Sequence, residues 1–311
     1  MAQRYTNLDP SHTNNSRGAL FRWAVLDRIL GRRQRSAPGP GAPRLEGDRR
    51  TRLGDALLEV GWIGHASFHL GLENASFWVD PVFSDRIARI VPRHTPPGWV
   101  AAELPRPEAV LITHAHYDHL DRRSIERVPS GIPLIVPAGL KRHIVSWGDW
   151  PIVELDWWES TTVGEVTVTF VPARHWSRRW RHPTNDSWWG GYVLQKGERS
   201  IYHAGDSAAF SGFAQIGERF CNLDVAILPI GAYAPKWFME RQHMNPEQAG
   251  EAFLELGAKV LVPMHWGTFQ LTDEPLLEPI ARLEAWWQQH GPQDGTLARL
   301  DVGEAWRMTA P

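Results

Sequence analysis

Short runs of apolar residues recur along most of the chain, and glycine, proline or polar residues separate them. Runs of this length with such boundaries are typical of β-strands, because a helix needs a longer amphipathic pattern. The pattern therefore predicts a strand-rich body from about residue 57 onward, with 61–66 as the first connection. The predicted strands cover residues 57–60, 67–70, 76–79, 109–112, 134–136, 166–171, 192–194, 200–202 and 259–265.

One segment has the signature of a helix with both ends marked. Asn245 is a suitable N-cap, Pro246 suits the first turn, and the pattern continues from 247 to 256 until Gly257. Helices thus alternate with the strands, and no glycine-rich dinucleotide fingerprint is present. The chain is predicted to form a layered α/β domain rather than a Rossmann fold.

The first 52 residues have a different pattern from the rest. An apolar stretch at 20–26 is followed by alternating proline and glycine at 38–43. These features predict a short apolar helix, then a linker, then the start of the folded body at about Leu53. The predicted division is an N-terminal extension, 1–52, and one domain, 53–311.

Charge separates the same two regions. The chain has a net charge of −2, but residues 1–52 hold eleven arginines (Arg4 is the first) against four carboxylates, a charge of +7, which leaves −9 for the remainder. An apolar helix flanked by arginines is suited to an anionic membrane surface. The alternative is a helix packed on the domain with its arginines in solvent. The negative body argues against a nucleic-acid partner.

The compartment is predicted from cysteine and hydropathy. A single cysteine, Cys221, excludes an intramolecular disulfide framework and fits a reducing compartment. No apolar run approaches the ~20 residues of a membrane span, and no signal-peptide pattern opens the chain. The expected location is the cytoplasm, with peripheral contact to the inner face of the membrane left open.

The densest chemistry follows the predicted strand at 109–112. His114, His116, Asp118 and His119 lie within six residues. Imidazole and carboxylate are ligands that zinc accepts, and loops at strand ends project side chains into clefts. A solvated turn that happens to be rich in histidine is the alternative, but one turn rarely places four metal-capable groups so densely. The stretch predicts a metal site.

This spacing, His-x-His-x-Asp-His, resembles the signature of the metallo-β-lactamase superfamily. The resemblance implies a four-layer αβ/βα sandwich that carries a two-metal hydrolytic site. It assigns His114 and His116 to one metal ion, and Asp118 and His119 to the second. It also requires three more ligands at later strand ends.

Each of the three required positions is filled at the end of a predicted strand. The resemblance implies that His175 completes the first site, Asp206 bridges both ions, and His265 completes the second site. The expected cofactors are two Zn²⁺ ions per chain, inferred from ligand type and family.

The expected chemistry follows from such a pair of ions. Two zinc ions ~3.5–4 Å apart share a water and lower its pKa enough to give hydroxide near neutral pH. The hydroxide would attack phosphorus or a carbonyl carbon, and Asp206 and Asp118 are predicted to be catalytic. Asp80 and Asp121 are candidates to orient ligand histidines. A helix cap or turn residue is the alternative for each.

A narrower resemblance covers roughly residues 57–279, to the N-acyl phosphatidylethanolamine-hydrolysing phospholipase D branch of the superfamily. It implies a phospholipid substrate, with N-acylethanolamine and phosphatidic acid as products. His243 matches an active-site histidine of that branch, where it would contact phosphate or assist protonation of the leaving alcohol. A loop or helix-start histidine is the alternative. The matching stretches are 64–67, 80–84, 172–176, 230–239, 242–243, 246–247 and 265–269.

The 17 tryptophans are unusually many and offer candidates for an apolar groove that would accept a lipid. Core packing is the alternative role for each. The candidates are Trp157, Trp158, Trp176, Trp180, Trp188, Trp189 and Trp237.

Other functions remain open at this stage. A hydrolase of a lactone or a small soluble phosphodiester would use the same metals, and an RNA-processing nuclease would need a basic face. A non-enzymatic binding module tends to lose metal ligands, whereas none is lost here. A flavodiiron-type redox protein is disfavoured because that family usually has glutamate at the position of His116. The oligomeric state lies beyond the sequence, and a homodimer stays open.

Overall fold

The structure is a computed structural model that describes residues 5–10, 15–33 and 35–309. Arg4, counted in the basic extension, lies outside the described residues, as do the two ends of the predicted domain ranges. All nine predicted strands are present. The strands are β1 (Leu58–Gly64), β2 (Ser67–Leu72), β3 (Ala75–Val79), β4 (Arg86–Ile87), β5 (Val91–Pro92), β6 (Ala109–Leu111), β7 (Leu134–Pro137), β8 (Ile152–Leu155), β9 (Ser160–Val163), β10 (Val166–Pro172), β11 (Gly190–Lys196), β12 (Arg199–His203), β13 (Val225–Pro229), β14 (Val260–Met264), β15 (Thr296–Leu297) and β16 (Ala305–Met308).

The helices are mostly short and lie between strands. The predicted capped helix is α7, where Asn245 accepts from the Gln248 amide and Gly257 adopts a left-handed conformation. A π-helical segment, Arg22–Leu26, joins α1 to α2, and 3₁₀ turns cover Gly47–Arg49 and Ala101–Glu103. The α-helices are α1 (Arg17–Phe21), α2 (Asp27–Ile29), α3 (Arg122–Ile125), α4 (Lys141–Ile144), α5 (Gly212–Arg219), α6 (Lys236–Met239), α7 (Pro246–Leu256) and α8 (Glu278–His290).

Two seven-stranded sheets share one design. The first has the order β16-β1-β2-β3-β6-β7-β8 and the second β15-β14-β13-β12-β11-β10-β9. In each sheet three antiparallel pairings precede three parallel ones, counted from β16 and from β9. Each sheet thus has a parallel half whose strands end at the same edge, which is where α/β sheets place ligands.

The sheets pack face to face, and helices cover their outer faces. One apolar cluster joins Val60 and Phe68 of the first sheet to Phe170 and Tyr202 of the second. A second cluster buries alternate residues of the first sheet, including Val110, under α3 and α4. Because the parallel strands are covered on both faces, successive residues are all buried and the strands are near-continuous apolar runs. The predicted four-layer α/β sandwich is confirmed.

The first connection differs from the expectation. Residues 61–64 belong to β1, so the turn to β2 consists of His65 and Ala66 alone. Gly61 pairs with Ala305 on one side and with His69 on the other. Beyond Gly61 the strand continues by pairing with β2, where Trp62 lies opposite Phe68 and Gly64 opposite Ser67.

The described part of the N-terminal extension packs against the domain. Trp23 stacks on Phe238 with ring centroids 4.9 Å apart, and its Nε1 donates to Asp273 at 3.0 Å. Arg33 pairs with the same carboxylate at 2.7 Å. The Pro/Gly stretch is also held down, because the Ala42 amide donates to the Gly267 carbonyl. The apolar helix therefore uses one side for packing on the domain.

Candidate metal centre

The predicted metal-binding loop leaves the carboxyl end of β6, in the parallel half of the first sheet. His114 and His119 are buried at the junction of the two sheets. Asp121 ends the loop as the N-cap of α3, accepting from the Ser124 amide at 3.1 Å. It also accepts from the Ser84 hydroxyl. Asp121 therefore has the helix-cap role, and the loop is fixed at both ends.

One group of donor atoms gathers around His116. Its Nδ1 lies 2.9 Å from His114 Nε2 and 3.2 Å from His175 Nε2. Asp206 Oδ2 lies 3.8 Å from His114 Nε2 and 3.7 Å from His175 Nε2. The four residues offer donor atoms that all lie within 4.8 Å of one another. This is the first set implied by the family resemblance, with Asp206 included.

A second group gathers around Asp118. Its Oδ2 lies 3.6 Å from His119 Nε2, 3.5 Å from His265 Nε2 and 3.1 Å from His65 Nε2. Asp206 reaches this group too, since its two oxygens lie 3.2 Å from His119 Nε2 and 3.2 Å from His265 Nε2. All seven predicted ligand positions thus converge, and Asp206 lies between the groups.

Strained backbone positions the donors of the later strands. Gly205, just before Asp206, has φ +61, and a Cβ there would lie 2.4 Å from the Gly190 carbonyl oxygen. His265 and His65 have φ 64 and 57, in the left-handed region that non-glycine residues seldom occupy. Such strain is typical of functional sites, where the surrounding structure holds it.

Several ligand rings are fixed from behind by hydrogen bonds. His119 Nδ1 lies 2.7 Å from Asp80 Oδ2, which turns Nε2 toward the cluster. Asp80 is itself held by the Thr113 amide and hydroxyl. His175 Nδ1 donates to the Gln242 carbonyl at 2.8 Å. These contacts decide which ring nitrogen of His119 and His175 faces the cluster. Asp80 therefore orients a ligand histidine, as expected.

Three donor atoms of the second group have no hydrogen-bond partner within the described protein. They are His119 Nε2, His265 Nε2 and Asp206 Oδ1, and all three are buried. Buried polar atoms are almost always paired, so this many orphans facing one another is unusual. Nitrogen and carboxylate oxygen in such a set fit divalent zinc or another transition metal. The residues present fit a metal centre.

Electrostatics favour the metal-binding forms of His116, His175 and the two carboxylates, whereas Asp206 and Asp118, against the effect of burial, raise the pKa of His119 well above its usual value and that of His265 to about 9. Burial lowers the pKa of His116 to about 3 and that of His175 to about 4. Burial would raise the pKa of Asp118 and Asp206, but the nearby histidines, His119 first, hold both well below the usual value. Neutral imidazoles and ionised carboxylates are the forms that coordinate a cation.

His243 lies between the two groups. Its ring centroid is 4.9 Å from that of His175 and 5.2 Å from that of His265. The ring is buried, and its Nδ1 has no hydrogen-bond partner. It also forms a donor group with Asp206 and His265. The structure thus places this predicted catalytic residue at the centre rather than in a peripheral loop.

His65 is the residue of the centre that sequence reasoning missed. It contacts Asp118, and its ring lies 4.1 Å from that of His265. The stretch 64–67 was recognised as a family motif, but its histidine was not assigned a role. The signal was available, because His65 directly follows β1 as the other donors follow their strands.

The candidate tryptophans divide between core and surface. Trp157 and Trp188 stack at 3.9 Å, and Trp189 is buried, so these three pack the interior beside β10. Trp176 lies beside the centre, 4.6 Å from the His116 ring. Trp158 packs against the main core. The exposed candidates are Trp180 and Trp237.

Comparisons with known proteins agree with this geometry. A model of the beta-lactamase superfamily domain matches residues 76–266, more than half of the chain. An uncharacterized Mycobacterium tuberculosis protein is 38% identical over 294 residues, which cover 90% of this chain and 77% of that protein. A Caenorhabditis elegans protein named N-acyl-phosphatidylethanolamine-hydrolyzing phospholipase D 1 is 33% identical over 267 residues, with coverage of 80% and 75%. A solved metallo hydrolase from the archaeon Ignicoccus hospitalis superposes with a TM-score of 0.60 at 22% identity, covering 81% of this chain and 99% of that one.

Proposed function

Because the chain belongs to the metallo-β-lactamase superfamily and is a metal-dependent hydrolase, we propose that it hydrolyses a phosphodiester bond of a phospholipid. The substrate we propose is N-acyl phosphatidylethanolamine, and the products are N-acylethanolamine and phosphatidic acid. The observation that carries the proposal is the pair of donor groups joined by Asp206, with His243 between them. The name of the C. elegans relative supports the lipid.

The residues present divide naturally between two ions, for which we propose Zn²⁺. His114, His116 and His175 would hold one ion, and Asp118, His119 and His265 the other. Asp206, whose oxygens reach both groups, would hold both. Such ions supply a water of lowered pKa and neutralise charge that develops on phosphoryl oxygens.

The protein itself contributes orientation and a hydrogen-bond donor. Asp80 and the Gln242 carbonyl fix the rings of His119 and His175 from behind. Burial lowers the pKa of His243 well below its usual value, against the opposing effect of Asp206. A neutral His243 would donate a hydrogen bond through its ring N–H to a phosphate oxygen, where it stabilises the negative charge that develops.

Substrate access involves the apolar N-terminal helix. Within the described residues, Phe21 and Ile29 expose 58% and 75% of their surface, and Arg22 lies over the exposed Trp237 ring at 4.5 Å. Trp23 of the same helix packs on Phe238, in the segment that leads to His243. Exposed apolar residues beside arginines suit the surface of an anionic bilayer. We therefore propose peripheral contact with the inner face of the cytoplasmic membrane; no described helix is long and apolar enough to span one.

The test compares two substrates on protein assayed for metal. N-acyl phosphatidylethanolamine in mixed micelles is measured beside a soluble bis-aryl phosphodiester. We expect turnover of the lipid to exceed that of the soluble diester, with about two zinc ions bound at the centre. If only the soluble diester is turned over, the proposal of a metal centre stands and the proposal of a lipid substrate is refuted.

A further inference from the structure

A second cluster of metal-binding side chains shares no residue with the metal centre. It consists of His143 on α4, and His182 and Asp186 on the connection between β10 and β11. Asp186 Oδ2 lies 3.3 Å from His143 Nε2 and 3.6 Å from His182 Nδ1. The three residues offer donor atoms that all lie within 4.8 Å of one another. Neither of the family motifs contains any of them.

The cluster leaves polar atoms without partners in a buried place. The His143 side chain is fully buried, and neither of its ring nitrogens has a hydrogen-bond partner. Asp186 Oδ1 is also buried and unpartnered. A buried imidazole with two orphaned nitrogens is unusual, because buried polar groups are paired in nearly all proteins. A ligand bound between these atoms would satisfy them.

We propose that His143, His182 and Asp186 form a third metal site, which binds one Zn²⁺ ion with a solvent molecule as the fourth ligand. Two imidazoles and a carboxylate are a donor set that zinc accepts. Zinc–nitrogen bonds of about 2.0–2.1 Å in tetrahedral geometry separate the donors by about 3.3 Å. The observed separations of 3.3 and 3.6 Å match this requirement.

Ion binding would require one of the two histidine rings to move. The His143 and His182 rings stack at 3.8 Å, and His182, whose side chain is 35% exposed, is the ring that would turn toward the ion. Arg142 contacts the Asp186 backbone carbonyl and lies 3.3 Å from Oδ2, so this oxygen would be shared between the guanidinium and the cation. Burial lowers the pKa of His143 to about 4, so that its ring is neutral at physiological pH.

The third ion would fasten a connection that serves the metal centre. The connection of residues 173–189 carries His175, and Arg179 donates to the carbonyls of Ala115 and Leu120 on both sides of the metal-binding loop. His182 and Asp186 lie on the same connection, whereas His143 lies on α4. A zinc ion between them ties the connection to the first sheet's outer layer, as structural zinc sites do.

Zinc counting tests the site directly. Wild-type protein, His182→Ala, His143→Gln and a control, His290→Ala, are equilibrated with zinc, passed through a desalting column and measured by mass spectrometry of the metal. His290 is exposed and lies outside both clusters. We expect His182→Ala and His143→Gln to bind about one zinc ion fewer than wild type and control. If His143→Gln does not fold, the zinc count of His182→Ala decides the test. The His182 side chain is partly exposed, so its removal should leave the protein folded.

Limited proteolysis tests the structural role. Arg178 and Arg181 are exposed on the connection and are trypsin sites. Added zinc should slow cleavage there in wild type and His290→Ala but not in His182→Ala. Equal zinc counts in all four proteins would overturn the proposal. Since neither measurement uses turnover, the result is independent of the phospholipase function.

Discussion

The metal centre and the N-terminal segment, residues 5–52 as far as described, are held by different interactions. In the centre, buried carboxylates and imidazoles contact one another, and Asp80 fixes them from behind. The segment is held by aromatic stacking and by the largely buried ion pair of Arg33 with Asp273, and it keeps Phe21 and Ile29 in solvent. Changes in the centre should therefore abolish the reaction itself. Changes to the exposed apolar side chains of its helix should alter only how a lipid reaches the centre.

The two regions nevertheless touch at one point. Asn7 donates from its amide to the His175 carbonyl and accepts from the His175 amide, both at 3.1 Å. Tyr5 packs on Trp188, beside the same connection. The extension is therefore partly a support for a ligand, whereas its helix exposes apolar side chains to solvent.

The largest effect is expected from Asp206→Asn, because this side chain is shared by both donor groups. An amide keeps the shape but loses the charge that would hold two cations together. We expect turnover of both the lipid and the soluble diester to fall to near background, with less bound metal. Asp294→Asn, an exposed carboxylate, is the control. Near-normal turnover with full metal content would contradict the two-metal centre.

His243→Ala is expected to lower turnover by roughly 10²-fold, the range for loss of one hydrogen-bond donor to developing charge. Metal content should stay unchanged, because the predicted ligands remain in place. Metal analysis beside initial rates on both substrates measures this, with His290→Ala as the matched control. Loss of metal from His243→Ala would instead identify His243 as a metal ligand. Its donor atom lies close enough to those of Asp206 and His265 for the three to share an ion.

Asp80→Asn is expected to weaken metal binding by roughly 10–100-fold, the usual effect of removing a partner behind a ligand. The charge that fixes His119 Nδ1 is lost while the size is kept. Competition with a chelator measures the affinity. Asp121→Asn is the matched control, since asparagine also caps helices and α3 should keep its N-cap. Equal weakening in both variants would show a general effect on the loop.

The centre could be predicted closely from the sequence because strand ends and ligand types are both local signals. His114, His175 and His265 each follow an apolar strand, so the order of motifs fixes which sheet edge they share. His65 follows β1 in the same way, but it was missed because the family resemblance required seven ligands and all seven positions were already filled.

The remaining features depend on contacts between distant segments. The pairing of β1 with β16 and the seating of Trp23 on Phe238 join residues more than 200 positions apart. Apolar periodicity shows that a face is buried but not what buries it. The cluster of His143, His182 and Asp186 was missed for the same reason, because α4 and the β10–β11 connection meet only in the folded protein.

The smallest effect is expected from Phe21→Ser combined with Ile29→Ser. Both side chains are largely exposed, so the free energy of unfolding should change little. Removing their apolar surface should weaken contact with a bilayer and raise KM for N-acyl phosphatidylethanolamine in micelles roughly several-fold. Turnover of the soluble diester should stay unchanged, since nothing in the metal centre is altered.

Val145→Ser removes an apolar side chain that is 54% exposed at the end of α4, and it is the matched control. Sedimentation with anionic vesicles should show less binding of the double variant than of this control. An equal loss of turnover on both substrates would show that the helix stabilises the metal centre. An unchanged KM for the lipid would show that the helix does not take part in lipid access.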